Sequence, residues 1–525
     1  MADLKSYLQN HTNPPVFALS AALTLAFVTW GVWAPGHLGS IAETVMNWIS
    51  TVFGWWYIAL VTGLLAFVVY LLFSRYGQIK LGKDDEEPEW GTWGWFSMLF
   101  TAGMGIGLVF YGVAEPIFHF NNPPVGEGGT PQAAREAMNS TFFHWSLHPW
   151  AVYIVIGLSL SYFCFRHDLP LRPASAFYPL IGDRIYGWVG NLIDTLAVFG
   201  TLFGLATSLG LGATQISAGL SQVFGLPDSP TTQVLIIAAV TSVAVTSVML
   251  GLDHGVRRLS VVNMYLAMLL AAFVFVAGPT LFILEFMVDS TGYYIQHLPE
   301  TSLRLFALSQ EGSGWISDWT VFYWAWWIAW SPFVGLFIAR ISRGRTIRQF
   351  VTGCLLAPTG ASIVWFTTFG GSALELLLGG SNQALSEAGT NDALFVLLNQ
   401  LSLPGPVISV LSLLAILVVA IFFATSSDSG SLVVDMLTNG GDPNPVAQQR
   451  LFWAILEGLI AAVLLVAGAA ATGNALSALQ TASLTSGLPF SIVLALMCVG
   501  LMRRLRQEPI SRLAPGRKRS PSSGG

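Results

Sequence analysis

The sequence predicts an all-α polytopic membrane protein with about twelve transmembrane helices, and three observations carry that prediction. Hydrophobic residues fill 54% of the 525 positions and charged residues only 10%, against roughly a quarter charged in soluble domains. Apolar runs of spanning length recur near 16–34, 55–73, 93–115, 138–165, 187–221, 232–252, 259–287, 318–339, 347–372, 406–436, 450–472 and 478–502, each near the roughly 20 residues a helix needs to cross a bilayer. With both termini cytoplasmic, the loops place every Lys and Arg on the inner side except Arg135 and Arg304, which is 21 of 23 (23 − 2). Basic residues favour that side. A missed or extra span would invert every later loop, so the alternation fixes helix number and orientation together.

The first run, from about Val16 to Trp33, is long enough to span and follows a short polar start, so no cleavable signal is expected. The third run holds Ala102-Gly103-Met104-Gly105-Ile106-Gly107 in mid-span, followed by Phe110 and Tyr111. Each of its three glycines weakens a helix by roughly 0.5–1 kcal/mol. Close helix packing through small residues is one reading. An unwound segment lining a cavity is favoured, because it leaves amides and carbonyls free to hold a carboxylate and a small cation. In the fourth run, His144-Trp145-Ser146-Leu147-His148-Pro149-Trp150-Ala151-Val152-Tyr153 should bend at Pro149. His144 and His148 have the spacing of a metal-ligand pair, but no carboxylate or cysteine accompanies them, so a metal is not expected.

The fifth run, Gly200 to Ser208, is rich in small and hydroxyl residues, a pattern of tight packing in which Thr201 is a candidate cation ligand. The eighth run contains five tryptophans between Trp319 and Phe333. A belt at the membrane surface needs only rings at a segment's ends, whereas these run through a dozen positions. Trp327, Trp330 and Phe333 form one helical stripe, and cavity lining is favoured over belt or core packing. A stack of ring faces suits a quaternary ammonium, at about 0.5–2 kcal/mol per well-placed ring. The tenth run puts Thr425, Ser426, Ser427, Asp428 and Ser429 inside an apolar span. A carboxylate there is a functional candidate, balanced by a role in pinning hydroxyls or amides, and such oxygens suit a hard monovalent ion.

The remaining polar features read as structural. Asp194 and Glu115 lie in or beside spans, Arg340 to Arg348 sets topology, and Asp84 to Glu89 reads as a solvated acidic face. The tail from Glu508 onward is Arg-, Ser- and Pro-rich and reads as mobile. Cys164, Cys354 and Cys498 are far apart in apolar runs, so they are expected to be inert thiols. No nucleophile–base pair or metal set of a membrane enzyme stands out. A channel or receptor for quaternary amines shares the aromatic signal, but the broken span and the acid–hydroxyl run favour a carrier.

Three stretches resemble the betaine/choline/carnitine transporter family: G-M-G-I-G at 103–107, H-W-S-L-H-P-W-A-V-Y at 144–153, and Trp319 to Gly335 followed by A-R-I-S-R-G-R-T-I-R at 339–348. The likeness runs from about residue 15 to 505. It implies a leucine-transporter-type core of two inverted five-helix repeats, helices 3–7 in 91–300 and helices 8–12 in 301–505. Before them lie the cytoplasmic N-terminus and helices 1–2 (1–90), and after them a short cytoplasmic tail (506–525). It also implies a homotrimer in the cell (inner) membrane, in contact with lipid and with no nucleic-acid partner. The resemblance assigns Trp145, Trp150, Tyr153 and Trp327 to an aromatic box for a trimethylammonium group. It places Trp330 and Phe322 on the pathway, makes Phe110 a gate, and lays the backbone of Ala102, Met104, Gly105, Ile106 and Gly107 opposite. Ser426 and Thr425 with carbonyls of Met104 and Ala102 resemble one sodium site, and Thr201 with Phe333 part of another. Proton-coupled choline members carry an aspartate where this chain has Gly107, so the resemblance implies sodium as coupling ion and no cofactor. Leu205, one turn after Thr201, replaces a second threonine of sodium-coupled betaine members, which points to a single coupled ion. The short tail implies weaker or differently sensed osmotic regulation. The expected function is sodium-coupled import of a trimethylammonium osmolyte, with glycine betaine favoured and a sodium- or proton-coupled choline carrier as the alternative.

Overall fold

The computed structural model describes residues 10–103, 105–249, 253–380, 382–443 and 446–509, with backbone alone at 97, 100–103 and 253–257. Among these residues the regular structure is helical, apart from one isolated bridge between Lys80 and Thr346. The chain enters through α1 (Pro14–Trp33) and α2 (Pro35–Phe73), each starting on a proline whose missing N–H costs nothing in a first helical turn. Then come α3 (Thr92–Gly103) and α4 (Ile106–Asn121), with the glycine-rich segment between them. The long α5 (Pro131–Arg166) is followed by α6 (Trp188–Phe224), α7 (Pro230–Met249), α8 (Asp253–Ala277) and α9 (Thr280–Ser302). The second half holds α10 (Gln310–Arg340), α11 (Ile347–Leu378), α12 (Gly405–Thr438), α13 (Ala447–Thr472) and α14 (Ala475–Leu505). Gly225 and Gly473, both at φ near +70°, close α6 and α13 in a left-handed conformation that favours glycine.

Eleven of these helices are long and apolar enough to span a membrane, counting α8 by its Arg258–Ala277 part. The remaining expected span corresponds to the pair α3–α4: α3 ends at Gly103, Gly105 is extended, and Leu108 N–H reaches back to the Gly105 carbonyl. The seventh expected run, 259–287, is corrected: it ends at Ala277, because Gly278 and Pro279 stop the helix and α9 begins anew. That helix lies along the start of α5, where Arg135 pairs with Asp289 at 2.9 Å and Asn139 reaches Thr301 at 3.2 Å. Arg304 pairs with Glu300 and Glu136, so both arginines expected on the outer side are neutralised locally.

At the centre lies α10, with every residue from Phe322 to Leu336 buried. A helix that is apolar all round belongs inside a bundle, and its neighbours are α5, α6 and α14. Glycines permit the closest approach to α6, since a Cβ on Gly200 would lie 3.1 Å from the Ala329 carbonyl oxygen and one on Gly204 2.7 Å from Trp330 Cδ1.

Two surface expectations are tested on the Arg340 side. The acidic stretch is solvated, with Asp84, Asp85, Glu87 and Glu89 exposed, and it is also ion-paired: Glu86 is bound by Arg343, Glu87 by Lys80 at 3.2 Å, and Asp84 by Arg166 at 2.8 Å. The Arg343 guanidinium holds Glu86 below the ordinary carboxylate range. Glu508, however, is not part of a loose tail. It takes two bonds from Arg166, at 3.0 and 3.2 Å, and one from the Tyr162 hydroxyl at 2.7 Å. A fork-shaped guanidinium matches a carboxylate in this way, so one residue pins the end of α14 to the end of α5. Residues 510–525 lie outside the described residues.

Candidate functional site

The fourth run departs from a smooth helix where proline chemistry requires it. Pro149 has no N–H to give the Trp145 carbonyl four residues earlier, and the backbone breaks at Ser146 (φ −109°, ψ −114°). The orphaned Trp145 oxygen instead accepts the Ser362 hydroxyl from α11 at 3.0 Å. The break turns Trp145 towards α10. Its ring meets Trp327 edge-to-face at 4.9 Å between centroids, Tyr323 at 5.4 Å and Phe366 at 5.3 Å. One and two turns further on, Trp150 packs on Tyr153 at 5.5 Å, and Tyr153 stands 6.3 Å from Trp327. Trp145, Trp150, Tyr153 and Trp327 therefore form one continuous chain of ring contacts between α5 and α10.

The other expected residues fall in three groups. Phe322 stacks on Trp326 at 5.5 Å, and Trp326 stacks on Trp327 at 4.9 Å, so Phe322 extends the same aromatic face. Phe110 is fully buried and reaches the box through Tyr111, which lies 4.8 Å from it and 6.0 Å from Trp145. Trp330 does not join the box. The expected Trp327–Trp330–Phe333 stripe divides, with Trp330 packing on Phe333 at 5.5 Å and fitting against Gly204 and Gly105. Its indole thus sits beside the interruption between α3 and α4, where a Cβ on Gly105 would lie 3.5 Å from Trp330 Cη2.

Gly107, in the first turn of α4, is enclosed by the box itself. A Cβ there would lie 2.6 Å from Trp326 Cη2 and 2.8 Å from Trp145 Cη2. Any side chain would displace two tryptophans. Ile106 is buried beside it. Met104 lies outside the described residues, as does the side chain of Ala102.

On the other side, the hydroxyls are bonded to their own helices. Thr201 donates to the Ala197 carbonyl at 2.9 Å and Thr425 to that of Ile421 at 2.8 Å, leaving lone pairs on both oxygens; Ser426 is half-buried. Leu205 is fully buried, and its Cδ1 lies 2.2 Å from the place a Cβ on Gly430 would take, so it packs onto the α12 backbone. The Asp428 carboxylate is bound by Arg450 on α13 at 2.9 Å. Asp194 is structural, accepting Arg172 at 3.1 Å and the Ala174 N–H at 3.0 Å.

Residues that the sequence left in the background stand at the middle of the site. The expectation that no carboxylate accompanies His144 is corrected, because Glu115 from α4 accepts its Nδ1 at 2.7 Å. His148 takes no part and stacks on Trp324 at 5.5 Å. Glu115 also accepts Trp145 Nε1–H at 2.7 Å and the Tyr323 hydroxyl. The rule that an acid inside a span is a functional candidate would have found Glu115. Nothing in the sequence pairs it with His144, 29 positions away.

A helical bundle with eleven candidate spans and an aromatic interior is the architecture of a polytopic membrane protein. The family model for the betaine/carnitine/choline transporters matches residues 15–510, and the chain belongs to that family. It is 46% identical over 497 residues to a glycine betaine transporter of Acinetobacter baylyi, covering 94% of this chain and 73% of that one. It is 45% identical to the glycine betaine transporter OpuD of Bacillus subtilis, with 94% of each chain covered. A glycine betaine/proline/choline transporter of Vibrio parahaemolyticus is 40% identical, over 94% of this chain and 90% of that one. Among solved structures, a substrate-bound, outward-open Na+-coupled sialic acid symporter has a TM-score of 0.47 at 14% identity, covering 84% of this chain and 86% of that one.

Proposed function

We propose that this protein imports glycine betaine across the cell membrane in symport with sodium, working as a homotrimer with both termini cytoplasmic. The observation that carries the reading is the convergence of Trp145, Tyr153 and Trp327, rings from two helices, deep inside the bundle. A trimethylammonium group cannot form hydrogen bonds, so ring faces are its natural partners. The glycine betaine relatives at 45–46% identity support this substrate. In the present arrangement Trp145 and Trp327 touch, so a head group lodged between them requires the rings to part. Amides freed at 105–107 would then face the carboxylate.

Sodium is favoured over protons because Gly107 offers no acid and its surroundings leave no room for one. Thr425 and Ser426 with the carbonyls of Ala102 and Met104 are the proposed ligands. Thr201 and Phe333 would contribute to a second place, which Leu205 leaves short of an oxygen. The two halves, 91–300 and 301–505, are proposed to act as inverted repeats that rock about the site. One charge crossing 100 mV gains about 2.3 kcal/mol, enough for roughly fiftyfold accumulation.

The test is uptake of labelled glycine betaine and choline into proteoliposomes with sodium and proton gradients varied separately. Saturable betaine uptake that follows sodium and ignores the proton gradient is expected. Uptake that follows protons would refute the coupling, and preference for choline would refute the substrate.

A further inference from the structure

The geometry points to Glu115 as the positioning residue of the onium site: one buried carboxylate that ties α4, α5 and α10 together and sets the planes of two of the three box indoles, Trp145 and Trp327. This inference rests on the onium reading above and adds a residue which that reading does not use. Glu115 is fully buried, and four donors converge on it. Oε1 takes His144 Nδ1 at 2.7 Å and His119 Nε2 at 3.3 Å, while Oε2 takes Trp145 Nε1–H at 2.7 Å and the Tyr323 hydroxyl. His144 and Trp145 come from α5, Tyr323 from α10 and His119 from α4 itself.

The network continues to the second indole. A neutral His144 that donates from Nδ1 accepts the Thr320 hydroxyl at Nε2, 2.9 Å away, satisfying both ring nitrogens. Its backbone carbonyl accepts Trp327 Nε1–H at 3.0 Å. Trp145 is therefore held directly by Glu115, and Trp327 through the residue that Glu115 orients. An indole has one N–H, and fixing it fixes the direction of the ring face. Ring faces attract a cation only when correctly presented, so the carboxylate controls binding without touching substrate.

The same atoms of Glu115, His119 and His144 lie within 4.8 Å of one another, as three metal ligands would. Hydrogen bonding is the better description, because each nitrogen already has the carboxylate as acceptor and the second oxygen is taken by Trp145 and Tyr323.

The experiment measures KM and Vmax for labelled glycine betaine in sodium-driven proteoliposomes, for the wild type, Glu115→Gln, Glu115→Asp, Trp145→Phe and the double variant Glu115→Gln/Trp145→Phe. Each is measured with and without EDTA. Glu115→Gln should raise KM about tenfold or more, since two of its four donors would face an amide N–H, while Vmax stays within about threefold. Glu115→Asp should recover part of the affinity. Trp145→Phe keeps a ring but loses the N–H, so it should raise KM as well, and the double variant should be no worse than the poorer single. EDTA should change nothing.

An unmoved KM in Glu115→Gln, additive effects in the double variant, or EDTA-sensitive uptake restored by Zn2+ would each overturn the inference. If Glu115→Gln does not fold, Trp145→Phe and Tyr323→Phe decide it, and an unmoved KM in both is refutation. A wild type that takes up no onium compound removes the proposed function itself. Saturable wild-type uptake with insensitive variants removes only the positioning role.

Discussion

The two sides of the bundle interior are built on opposite principles. Around the aromatic cluster three indoles give their N–H to another element: Trp145 to Glu115, Trp327 to the His144 carbonyl, and Trp365 of α11 to the Leu108 carbonyl of α4 at 2.9 Å. Between α6 and α12, the hydroxyls of Thr201, Thr425 and Ser431 bond only within their own helix, Ser431 to the Asp428 carbonyl at 2.9 Å. The aromatic side is locked by bonds that cross elements. These three hydroxyls keep acceptor lone pairs to spare, while Ser427 and Thr207 of the same helices reach Glu457 on α13 at 3.3 Å and the Leu479 carbonyl on α14 at 2.8 Å. Rings must be presented in a fixed geometry to hold a cation that has no hydrogen bonds, whereas a small hard ion draws oxygens around itself. The difference fits the two cargoes proposed, an organic cation on the rigid side and sodium on the adaptable one.

The largest effect that would break this contrast is expected at Trp327. Trp327→Leu removes a ring and its N–H bond, and apparent betaine affinity should fall at least about tenfold, near 1.4 kcal/mol or more; unchanged uptake kinetics would take the ring out of the site. Gly107→Ala comes next. Its methyl must push aside Trp145 and Trp326, which hydrogen bonding and stacking hold in place, so KM for betaine should rise about fivefold, by analogy with overpacking costs of roughly 1–3 kcal/mol. Wild-type KM in this variant would mean that the rings yield freely and the aromatic side is not locked.

Thr425→Val sharpens the other half of the comparison. It keeps the shape and removes one oxygen, so the sodium concentration for half-maximal uptake should rise about three- to tenfold, while betaine KM at saturating sodium stays put. A change in betaine KM alone would place Thr425 on the substrate side.

The smallest effect is expected at the latch between Glu508 and Arg166. Burial pushes the Glu508 pKa up, but hydrogen bonds from Arg166 and Tyr162 and the Arg166 charge outweigh it and hold the carboxyl below its ordinary value. A depressed carboxyl contributes stability above its unfolded pKa, about 4.3, and loses it only as pH falls through the lower folded value. Proteolytic release of the tail should therefore be constant from pH 8 to 5 and rise only below the usual glutamate range. Glu508→Ala should expose the tail at every pH, with little change in uptake. A tail released between pH 7 and 6 would point to His167, which burial, mainly, and the Arg504 charge hold down at about 4, and would contradict the assignment to Glu508.

Much of the fold was legible because membrane spanning imposes length, apolarity and charge asymmetry at once. The break between α3 and α4 was legible for a simpler reason: three glycines in five residues weaken a helix in mid-span, and Gly105 is the one found extended. The seventh span was overdrawn because α9 carries apolar residues that continue the run, and only the Gly278–Pro279 pair marks the turn. Within the site, aromatic density singled out Trp145 and Trp327, but density gives no direction, and Trp330 faces α6 instead of the box. Glu115 and His144 were undervalued because their meaning lies in a contact between helices, which no local pattern encodes. The ion pairs of the exposed acidic stretch at 84–89 were hidden for the same reason, since its arginine partners Arg166, at the end of α5, and Arg343 are distant in sequence.

The central claim is that rings of α5 and α10 receive the trimethylammonium group. The most direct measurement is a cryo-electron microscopy structure of the full chain with glycine betaine and sodium. The expected result is a head group within about 6 Å of the Trp145, Tyr153 and Trp327 ring centroids, with Trp145 and Trp327 moved apart. Betaine bound elsewhere, with those two rings still in contact, would contradict it.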